Sequence, residues 1–263
     1  MPKNMKKTIT ITSDFGDQFA SAQLRAVIAS LGFDGNLIEN HSVSPYSITE
    51  GAFEIQQLAK YSTGNSVHVG IVDPGVGTKR FGVIIKTKKS WLIGPNNGLL
   101  YPAAIKERIL SIWKINEGYF GKDVANTFHG RDIFIKAAVF LAQGINPQEF
   151  SCRKIDIDIL VKKVFQPGEV LHIDAYGNYK IHWPHKIIPE QTLALVAGNK
   201  HINIPVVRTF EGVLPNKPLV IKGSHGTLEL AINLGNAHKV FSFRIGQILN
   251  LKFSLDSSPV AQL

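Results

Sequence analysis

The feature that most constrains the fold of this chain is a change of pattern beyond its middle. Up to about residue 150, strand-like apolar stretches alternate with stretches of helical periodicity. After Pro167 the helical periodicity nearly vanishes, and short β-like runs are separated by Gly, Pro and Asn. The first pattern predicts an α/β domain with a central, mostly parallel sheet. The second predicts an all-β C-terminal domain, a small barrel or sandwich, of which we expect the barrel.

The predicted elements give two domains, 1–160 and 165–263, joined by a linker near 154–167. Strands are predicted at 8–13, 36–43, 66–72, 81–86, 90–94 and 109–115, and helices at 18–31, 47–61, 99–107 and 131–143. We expect Ser47 or Thr49 to cap the second helix. The first helix would bury an apolar stripe formed by Phe19, Ala22, Ala26, Val27 and Ala29.

Composition excludes several classes of protein. The 263 residues are 44% hydrophobic, which fits a folded domain rather than a disordered chain. No apolar stretch approaches the roughly 18 residues of a membrane-spanning helix. The net charge is +9, but Lys and Arg are scattered, which favours a solvated surface over a nucleic-acid binder. Cys152 is the only cysteine, so we expect an inert thiol in a cytoplasmic protein.

Polar residues gather in three turn segments, 72–80, 94–98 and 127–132, each of which follows or opens an apolar run. Asp73, Arg80 and His129 supply an anion, a permanent cation and an imidazole, which together can hold and activate a water. Taken singly, Asp73 and Arg80 fit a structural ion pair better than a catalytic pair, and His129 fits a capping or packing role better than a catalytic one. In the Asn96-Asn97 turn, at least one amide is expected to serve backbone conformation.

Other candidate ligands lie at element ends. Asp14 ends the first strand, where a carboxylate can accept from both hydroxyls of a ribose or can cap a helix. Asp174 and Asn178 lie in a segment that fits either an adenine-binding edge or an ordinary β-turn. Ser224 offers a hydroxyl for a carboxylate or begins a plain hairpin turn. Glycine-rich nucleotide loops, His-Glu-x-x-His and paired-Cys metal motifs are all absent from the sequence.

Six motifs, taken in order along nearly the whole chain, resemble the S-adenosylmethionine (SAM) hydroxide adenosyltransferases, which are SAM hydrolases related to bacterial fluorinase and chlorinase. The motifs are Ser13-Asp14-Phe15-Gly16, Val72-Asp73-Pro74-Gly75-Val76-Gly77-Thr78, Gly94-Pro95-Asn96-Asn97-Gly98-Leu99-Leu100, Thr127-Phe128-His129-Gly130-Arg131-Asp132, Asp174-Ala175-Tyr176-Gly177-Asn178 and Ser224-His225-Gly226. The resemblance implies a homotrimer in which SAM lies between the N-terminal domain of one subunit and the C-terminal domain of its neighbour. It implies no metal and no cofactor, because SAM is the substrate, and neither a nucleic-acid nor a membrane partner.

The resemblance also implies a role for each matching residue. Asp73, Arg80 and His129 match the water-holding triad of the hydrolases, and we call them the triad below. The implied substrate ligands are Asp14 for the ribose hydroxyls, Tyr46 beside the sugar, Asn97, Asp174 for the methionine ammonium, Asn178 for the adenine edge and Ser224 for the methionine carboxylate.

Two positions depart from the family pattern. Asn96 stands where many hydrolases have Asp and the halogenases have Asn, and His225 stands where fluorinase has Arg. Two features favour hydrolysis: the hairpin at 81–94 is too short for the extra loop of fluorinase, and Asp73 and His129 stand where halogenases have other residues. The alternatives are a halide-dependent SAM adenosyltransferase and a SAM- or adenosine-binding protein without turnover.

The implied reaction is in-line displacement at the ribose C5′ of SAM by water or hydroxide, which gives adenosine and L-methionine. The sulfonium leaves as a neutral thioether, so the step needs no general acid. We expect Asp73 and Arg80 to hold the water and His129 to help remove its proton. Arg80 would also stabilise hydroxide character, and placing the water on the C5′ axis is the other contribution that the triad can make.

Overall fold

The chain divides into two compact units, Met1–Val164 and Phe165–Leu263. The structure is a computed structural model that describes residues 6–16, 18–64, 66–197 and 200–254. Each unit has its own cluster of buried apolar side chains.

One sheet of seven strands forms the centre of the N-terminal unit. The strands are β1 (Thr8–Ser13), β2 (Asn36–Asn40), β3 (Val67–Ile71), β4 (Gly82–Thr87), β5 (Trp91–Pro95), β6 (Ile109–Lys114) and β7 (Arg153–Lys154). Their order across the sheet is β2-β1-β3-β5-β4-β6-β7. The pairs from β2 to β5 are parallel, and β4, β6 and β7 add antiparallel pairs. Five of the seven strands therefore run in one direction, which confirms the predicted mostly parallel sheet.

Four α-helices of this unit pack on the sheet: α1 (Gln18–Ser30), α2 (Ile48–Tyr61), α3 (Tyr101–Glu107) and α4 (Ile135–Gln143). α1 packs against α4, and α2 packs against α3. Because every residue of β1 and β3 is buried, the centre of the sheet is covered on both faces, as is usual for parallel strands. No helix in the described ranges combines the length and the apolarity needed to cross a membrane.

The buried face of α1 differs from the predicted stripe. Leu24 and Ile28 are buried with Ser21, whereas Phe19 is 74% exposed. Of the remaining predicted stripe residues, Val27 is half-buried and the alanines are exposed. Leu24 and Ile28 offer more apolar area than the alanines on the other face, so burying them gains more free energy.

The ends of two other helices carry the expected signals. Ser47 caps α2, since its side chain accepts a hydrogen bond from the backbone N–H of Glu50 at 3.3 Å. α4 ends at Gly144, which has a left-handed φ of 91°. Between β4 and β5 the predicted hairpin is present.

The C-terminal unit contains the strands β8 (Val170–Ile173), β9 (Tyr179–Ile181), β10 (Thr192–Ala197), β11 (Lys200–Pro205), β12 (Pro218–Lys222), β13 (Leu228–Ile232) and β14 (Leu251–Ser254), and the short helix α5 (Ala237–Phe241). They form two antiparallel sheets, β11-β10-β14 and β12-β13-β9-β8, whose apolar residues share one core. The predicted β-rich character is confirmed. The described strands do not close into the expected barrel, because their hydrogen bonding is divided between these two sheets.

Cys152 is buried and 6% exposed. Burial raises the pKa of its thiol to about 11, so the reactive thiolate form is scarce at neutral pH. The expected inert thiol is confirmed.

Candidate active site

Three of the predicted site residues follow the carboxyl ends of parallel strands. Asp14 directly follows β1, Asp73 comes shortly after β3, and Asn97 comes shortly after β5. β1 and β3 are paired so that Ser13 lies beside Ile71, which brings the residues that follow them to the same edge. Ligands of open α/β sheets bind at this edge. The fold thus places these three positions where a site is expected.

Arg80 joins the other two triad residues. Its Nε donates a hydrogen bond to Asp73 Oδ1 at 2.9 Å, and its Nη2 donates to Asp73 Oδ2. The same Nη2 lies 2.9 Å from His129 Nδ1. All three side chains are at most 10% exposed. The structure therefore brings the predicted triad together as one hydrogen-bonded group.

The contact between Arg80 and His129 determines the tautomer of the imidazole. A guanidinium has only N–H donors, so His129 Nδ1 accepts the hydrogen bond. A neutral His129 then carries its hydrogen on Nε2. In this arrangement the lone pair of Nδ1 is occupied by Arg80, and the Nε2–H group is the remaining hydrogen-bonding group of the ring.

Two glycines allow the backbone segments of the triad to approach each other. A Cβ at Gly130 would lie 2.7 Å from Cγ2 of Ile71, at the end of β3. A Cβ at Gly77 would lie 2.4 Å from the carbonyl oxygen of Asn126, and Gly77 also has a φ of +74°. Larger residues at these positions would push the segment of His129 away from the segment of Asp73.

His129 is followed by a π-helical turn, Gly130–Phe134, which leads into α4. The sequence predicts ordinary helix from Arg131, so this part of the prediction is wrong. A π-turn inserts one extra residue into the helical repeat, and such turns are frequent at functional sites. Here the turn joins His129 to a helix that packs against β3.

Asp14, Asp73 and His129 line one cavity of about 390 Å³. The lining also includes Phe15, Pro45, Tyr46, Ile71, Val76, Thr127, Phe128 and Gly130. Asp14 Oδ2 accepts a hydrogen bond from the backbone N–H of Tyr46 at 2.8 Å. Because α1 begins only at Gln18, Asp14 does not stand at the capping position of that helix. The capping interpretation of Asp14 is therefore wrong, and its carboxylate instead holds the backbone at Tyr46.

Two aromatic residues of this lining were not assigned a role from the sequence. The rings of Phe15 and Phe128 meet edge to face with centroids 5.4 Å apart. The guanidinium of Arg131 lies 4.7 Å from the centroid of the Phe128 ring. The available signal was their position directly beside Asp14 and His129 in two of the motifs. They give the cavity an apolar wall suited to a flat or hydrophobic group.

Glu117 is a charged neighbour of the triad that the sequence analysis missed. Its Oε1 lies 3.5 Å from Arg80 Nη1 and 3.9 Å from His129 Nδ1. It begins a 3₁₀ turn, Glu117–Phe120, after β6, and no local motif marks it. A second cleft, of about 620 Å³, is lined by Arg80 and Glu117 together with Thr78, Lys79, Phe81, Lys114, Ile115, Asn116, Gly118, Ser151 and Arg153.

The side chains of Asn96 and Asn97 are both engaged in the turn after β5. Asn97 donates to the carbonyl of Val72 at 2.9 Å and accepts from the N–H of Leu99 at 3.1 Å. Asn96 makes a similar pair of bonds to the backbone of residues 159 and 161. Asn97 is not part of the cavity lining. The expected conformational role is therefore met by both amides.

Arg131 and Asp132, which follow His129 in the same motif, pair with each other. Arg131 Nε and Nη2 donate to the two oxygens of Asp132 at 2.7 and 2.9 Å. Asp132 also accepts from the N–H of Ala125 at 2.9 Å. Burial disfavours the charged carboxylate, but these bonds outweigh it and hold the pKa of Asp132 below its ordinary value. The pair braces the segment 125–132 that carries His129.

In the C-terminal unit, Asp174 and Asn178 form the turn between β8 and β9. Asp174 Oδ1 accepts from the N–H groups of Tyr176 and Asn178 at 3.0 and 2.9 Å, and Oδ2 accepts from the side-chain amide of Asn178 at 3.2 Å. The β-turn that the sequence analysis considered is present. It brings Asp174 and Asn178 into direct contact.

Lys180 is a second partner of Asp174 that the sequence analysis missed. Its Nζ lies 3.1 Å from Asp174 Oδ2 and 2.7 Å from Glu229 Oε2. Burial disfavours the charged form of Asp174, but the hydrogen bonds from Asn178 and Lys180 hold the pKa of its carboxyl below the ordinary value. Asp174 is therefore an anion at neutral pH.

Ser224 lies in the hairpin turn between β12 and β13. The turn is closed by a hydrogen bond from Gly223 N–H to the carbonyl of Thr227 at 2.8 Å. The hydroxyl of Ser224 lies 3.3 Å from Nδ1 of His225, and Ser224 is exposed. The hairpin turn that the sequence analysis considered is present.

The fold and the cavity define the class of protein. They show an α/β protein in which a mostly parallel sheet places Asp14, Asp73, His129 and two aromatic rings around one cavity, with Arg80 bound to Asp73 and His129. The chain belongs to the SAM hydroxide adenosyltransferase family. The model of the family's N-terminal domain matches residues 9–151, and that of its C-terminal domain matches residues 168–250.

Individual relatives agree with this assignment. The (R)-S-adenosyl-L-methionine hydrolase of Salinispora tropica is 31% identical, over 92% of this chain and 97% of the relative. A fluorinase from an Actinoplanes species is more distant, at 22% identity over 94% of this chain and 97% of the relative. A crystal structure of an uncharacterized conserved protein from Thermotoga maritima superposes with a TM-score of 0.82 at 25% identity, covering 93% of this chain and 100% of that chain.

Proposed function

We propose that this protein hydrolyses SAM to adenosine and L-methionine. The observation that carries the proposal is the triad itself: Asp73, Arg80 and His129 form one buried hydrogen-bonded group at the wall of the cavity that also contains Asp14. The family assignment and the SAM hydrolases among the relatives support the same substrate. The reaction needs no cofactor, because SAM supplies its own leaving group.

The chemistry requires a well-placed nucleophile more than an acid. Water or hydroxide attacks C5′ of the ribose, and the bond from C5′ to the sulfonium breaks. Methionine then leaves as a neutral thioether, and one proton of the water is released. Because the leaving group needs no proton, the triad acts on the attacking water alone.

The geometry favours a role for His129 in positioning the water over the role of general base expected from the sequence. With Nδ1 accepting from Arg80, the Nε2–H group is the one available to donate to the oxygen of the water. Asp73 lines the same cavity, and each of its oxygens retains a second lone pair that can accept a hydrogen from the water. In this arrangement His129 donates a hydrogen bond to the water, and Asp73 accepts a hydrogen bond from it. Arg80 holds the side chains of both residues in position.

The substrate ligands are proposed on the same basis. Asp14 is in the cavity with Tyr46 and would hold the ribose hydroxyls, and the rings of Phe15 and Phe128 would contact the apolar parts of SAM. For Asp174, Asn178 and Ser224 we propose the methionine ammonium, the adenine edge and the methionine carboxylate, as the resemblance implies. Asn97 would act indirectly, since both ends of its amide hold the turn after β5.

We also propose a cytoplasmic homotrimer, as the resemblance implies. Light scattering coupled to size-exclusion chromatography of the purified protein measures its assembly. A mass three times that of the chain supports the trimer, and a monomer mass contradicts it.

The direct test of the function is incubation of purified protein with SAM, with and without chloride or fluoride, followed by liquid chromatography and mass spectrometry. Adenosine and methionine at a rate independent of halide support hydrolysis. A 5′-halogenated nucleoside would instead assign a halide-dependent adenosyltransferase. Bound SAM without product would assign a binding protein.

A further inference from the structure

Glu117 contacts the triad but has no part in the reaction derived above. Its Oε1 lies 3.5 Å from Arg80 Nη1, within ion-pair distance, and both atoms are buried without a hydrogen-bond partner. A buried guanidinium N–H and a buried carboxylate oxygen have each lost the hydrogen bonds of water. Each is therefore the natural partner of the other.

The remaining contacts of Arg80 do not involve Nη1, the nitrogen that faces Glu117. Asp73 occupies Nε and Nη2, and His129 shares Nη2. The ring of Phe134 lies beneath the guanidinium, 5.4 Å from ring centroid to Cζ. Glu117 faces Nη1, so it limits rotation of the planar group about the edge held by Asp73.

We propose that Glu117 is a positioning residue: its carboxylate holds Nη1 of Arg80 and thereby keeps Nη2 on Nδ1 of His129. A closer approach of about 0.5 Å would turn the ion pair into a hydrogen bond of ordinary length. Glu117 does not line the cavity that contains Asp14, so it acts through Arg80 and not on the substrate. The kinetic consequence rests on the proposed function, whereas the effect on the tautomer of His129 does not.

The first test is kinetic and uses Glu117→Ala and Glu117→Gln. Loss of the restraint on Arg80 should lower kcat for SAM hydrolysis about tenfold or more in Glu117→Ala, with KM changed less than about twofold, because small misplacements of reacting groups reduce turnover strongly. Glu117→Gln keeps an oxygen acceptor without the charge and should fall between Glu117→Ala and the wild type.

The matched control is Glu211→Gln. Glu211 is an exposed carboxylate in the first turn of another 3₁₀ segment, Phe210–Gly212, and the change should leave kcat and KM as in the wild type. A wild-type kcat in Glu117→Ala would overturn the proposal. An equal loss in Glu117→Ala and in the control would do the same.

The second test does not depend on activity. In protein labelled with ¹⁵N-histidine, the ring nitrogens of His129, assigned with His129→Gln, should report hydrogen on Nε2 in the wild type and a mixture of tautomers in Glu117→Ala. Identical His129 signals in the two proteins would overturn the proposal. Absence of SAM turnover in the wild type would overturn the proposed function, and the tautomer measurement would still decide the role of Glu117.

Discussion

At the scale of single residues, Arg80 links the site more than any other side chain described. It donates to Asp73 through two nitrogens and to His129 through one of them, while Glu117 faces its third nitrogen. A guanidinium suits this place because it presents several fixed donors in one plane and stays charged at all relevant pH values. The consequence for His129 is that its tautomer is set by a neighbour.

A pair of substitutions distinguishes whether His129 donates a hydrogen bond to the water or acts as a general base. The amide nitrogen of Gln reaches the position of Nε2, so His129→Gln retains a donor toward the cavity, whereas the shorter Asn in His129→Asn does not. We expect steady-state kcat to fall about tenfold in the first variant and about a hundredfold or more in the second, with KM for SAM nearly unchanged. Equal inactivation of the two variants would favour the base that the sequence analysis expected.

Asp14 should contribute to binding instead of turnover. We expect Asp14→Ala to weaken SAM affinity about tenfold or more, because two charge-assisted hydrogen bonds to the ribose are lost. Asp14→Asn keeps an oxygen for the N–H of Tyr46 and separates loop support from diol binding. Isothermal titration gives the affinity, and Asp34→Ala, at a carboxylate that is 93% exposed, is the control. Unchanged affinity in Asp14→Ala would remove Asp14 from the site.

At the scale of elements, periodicity predicted the framework well and tertiary packing decided the rest. The strand at 8–13 and the helix end at Tyr61 agree with the structure residue for residue. Periodicity alone chose the wrong face of α1, because several alanines mimic an apolar stripe. It also could not indicate the π-turn after His129, which depends on how Gly130 packs against Ile71.

The close contact between Gly130 and Ile71 leads to a prediction about the turn that follows His129. In Gly130→Ala the new Cβ would overlap Ile71, so the turn must shift away from β3. We expect a loss of about 1–3 kcal/mol in the free energy of unfolding, measured in urea, together with reduced kcat. Gly144→Ala, at a left-handed position with open space around its Cβ, is the control for a glycine strained only by its backbone. Full activity in Gly130→Ala would show that the close approach is not needed.

The ion pair between Arg131 and Asp132, which holds the segment that carries His129, should be sensitive to acid. The pKa of Asp132 is lowered in the folded state, so its contribution to stability is complete above its ordinary pKa near 3.8 and is lost as pH falls through the lower folded value. Asp132→Asn should therefore lower the free energy of unfolding by on the order of 1 kcal/mol at pH 7, and by less near pH 3. Urea unfolding of both proteins at the two pH values measures this. A difference that does not shrink in acid contradicts it.

At the scale of the whole molecule, the order of the motifs along the chain was enough to predict the family. It was also enough to name the triad, since Asp73 and His129 lie inside the motifs and Arg80 follows the second motif by two residues. Glu117 and Lys180 were not predicted, because no motif marks them. Glu117 contacts Arg80, which is distant in sequence, and Lys180 lies on the strand that follows the turn of Asp174. The described strands form two sheets instead of the expected closed barrel, because local strand patterns do not indicate which strands pair with each other.

In the proposed reaction, water attacks C5′ of SAM. The most direct measurement is turnover of SAM by the wild-type protein in H₂¹⁸O, with and without chloride, analysed by mass spectrometry of both products. We expect one ¹⁸O atom on the 5′ position of adenosine, unlabelled methionine, and the same rate in both media. Unlabelled adenosine, or a chlorinated nucleoside in the chloride medium, would contradict it.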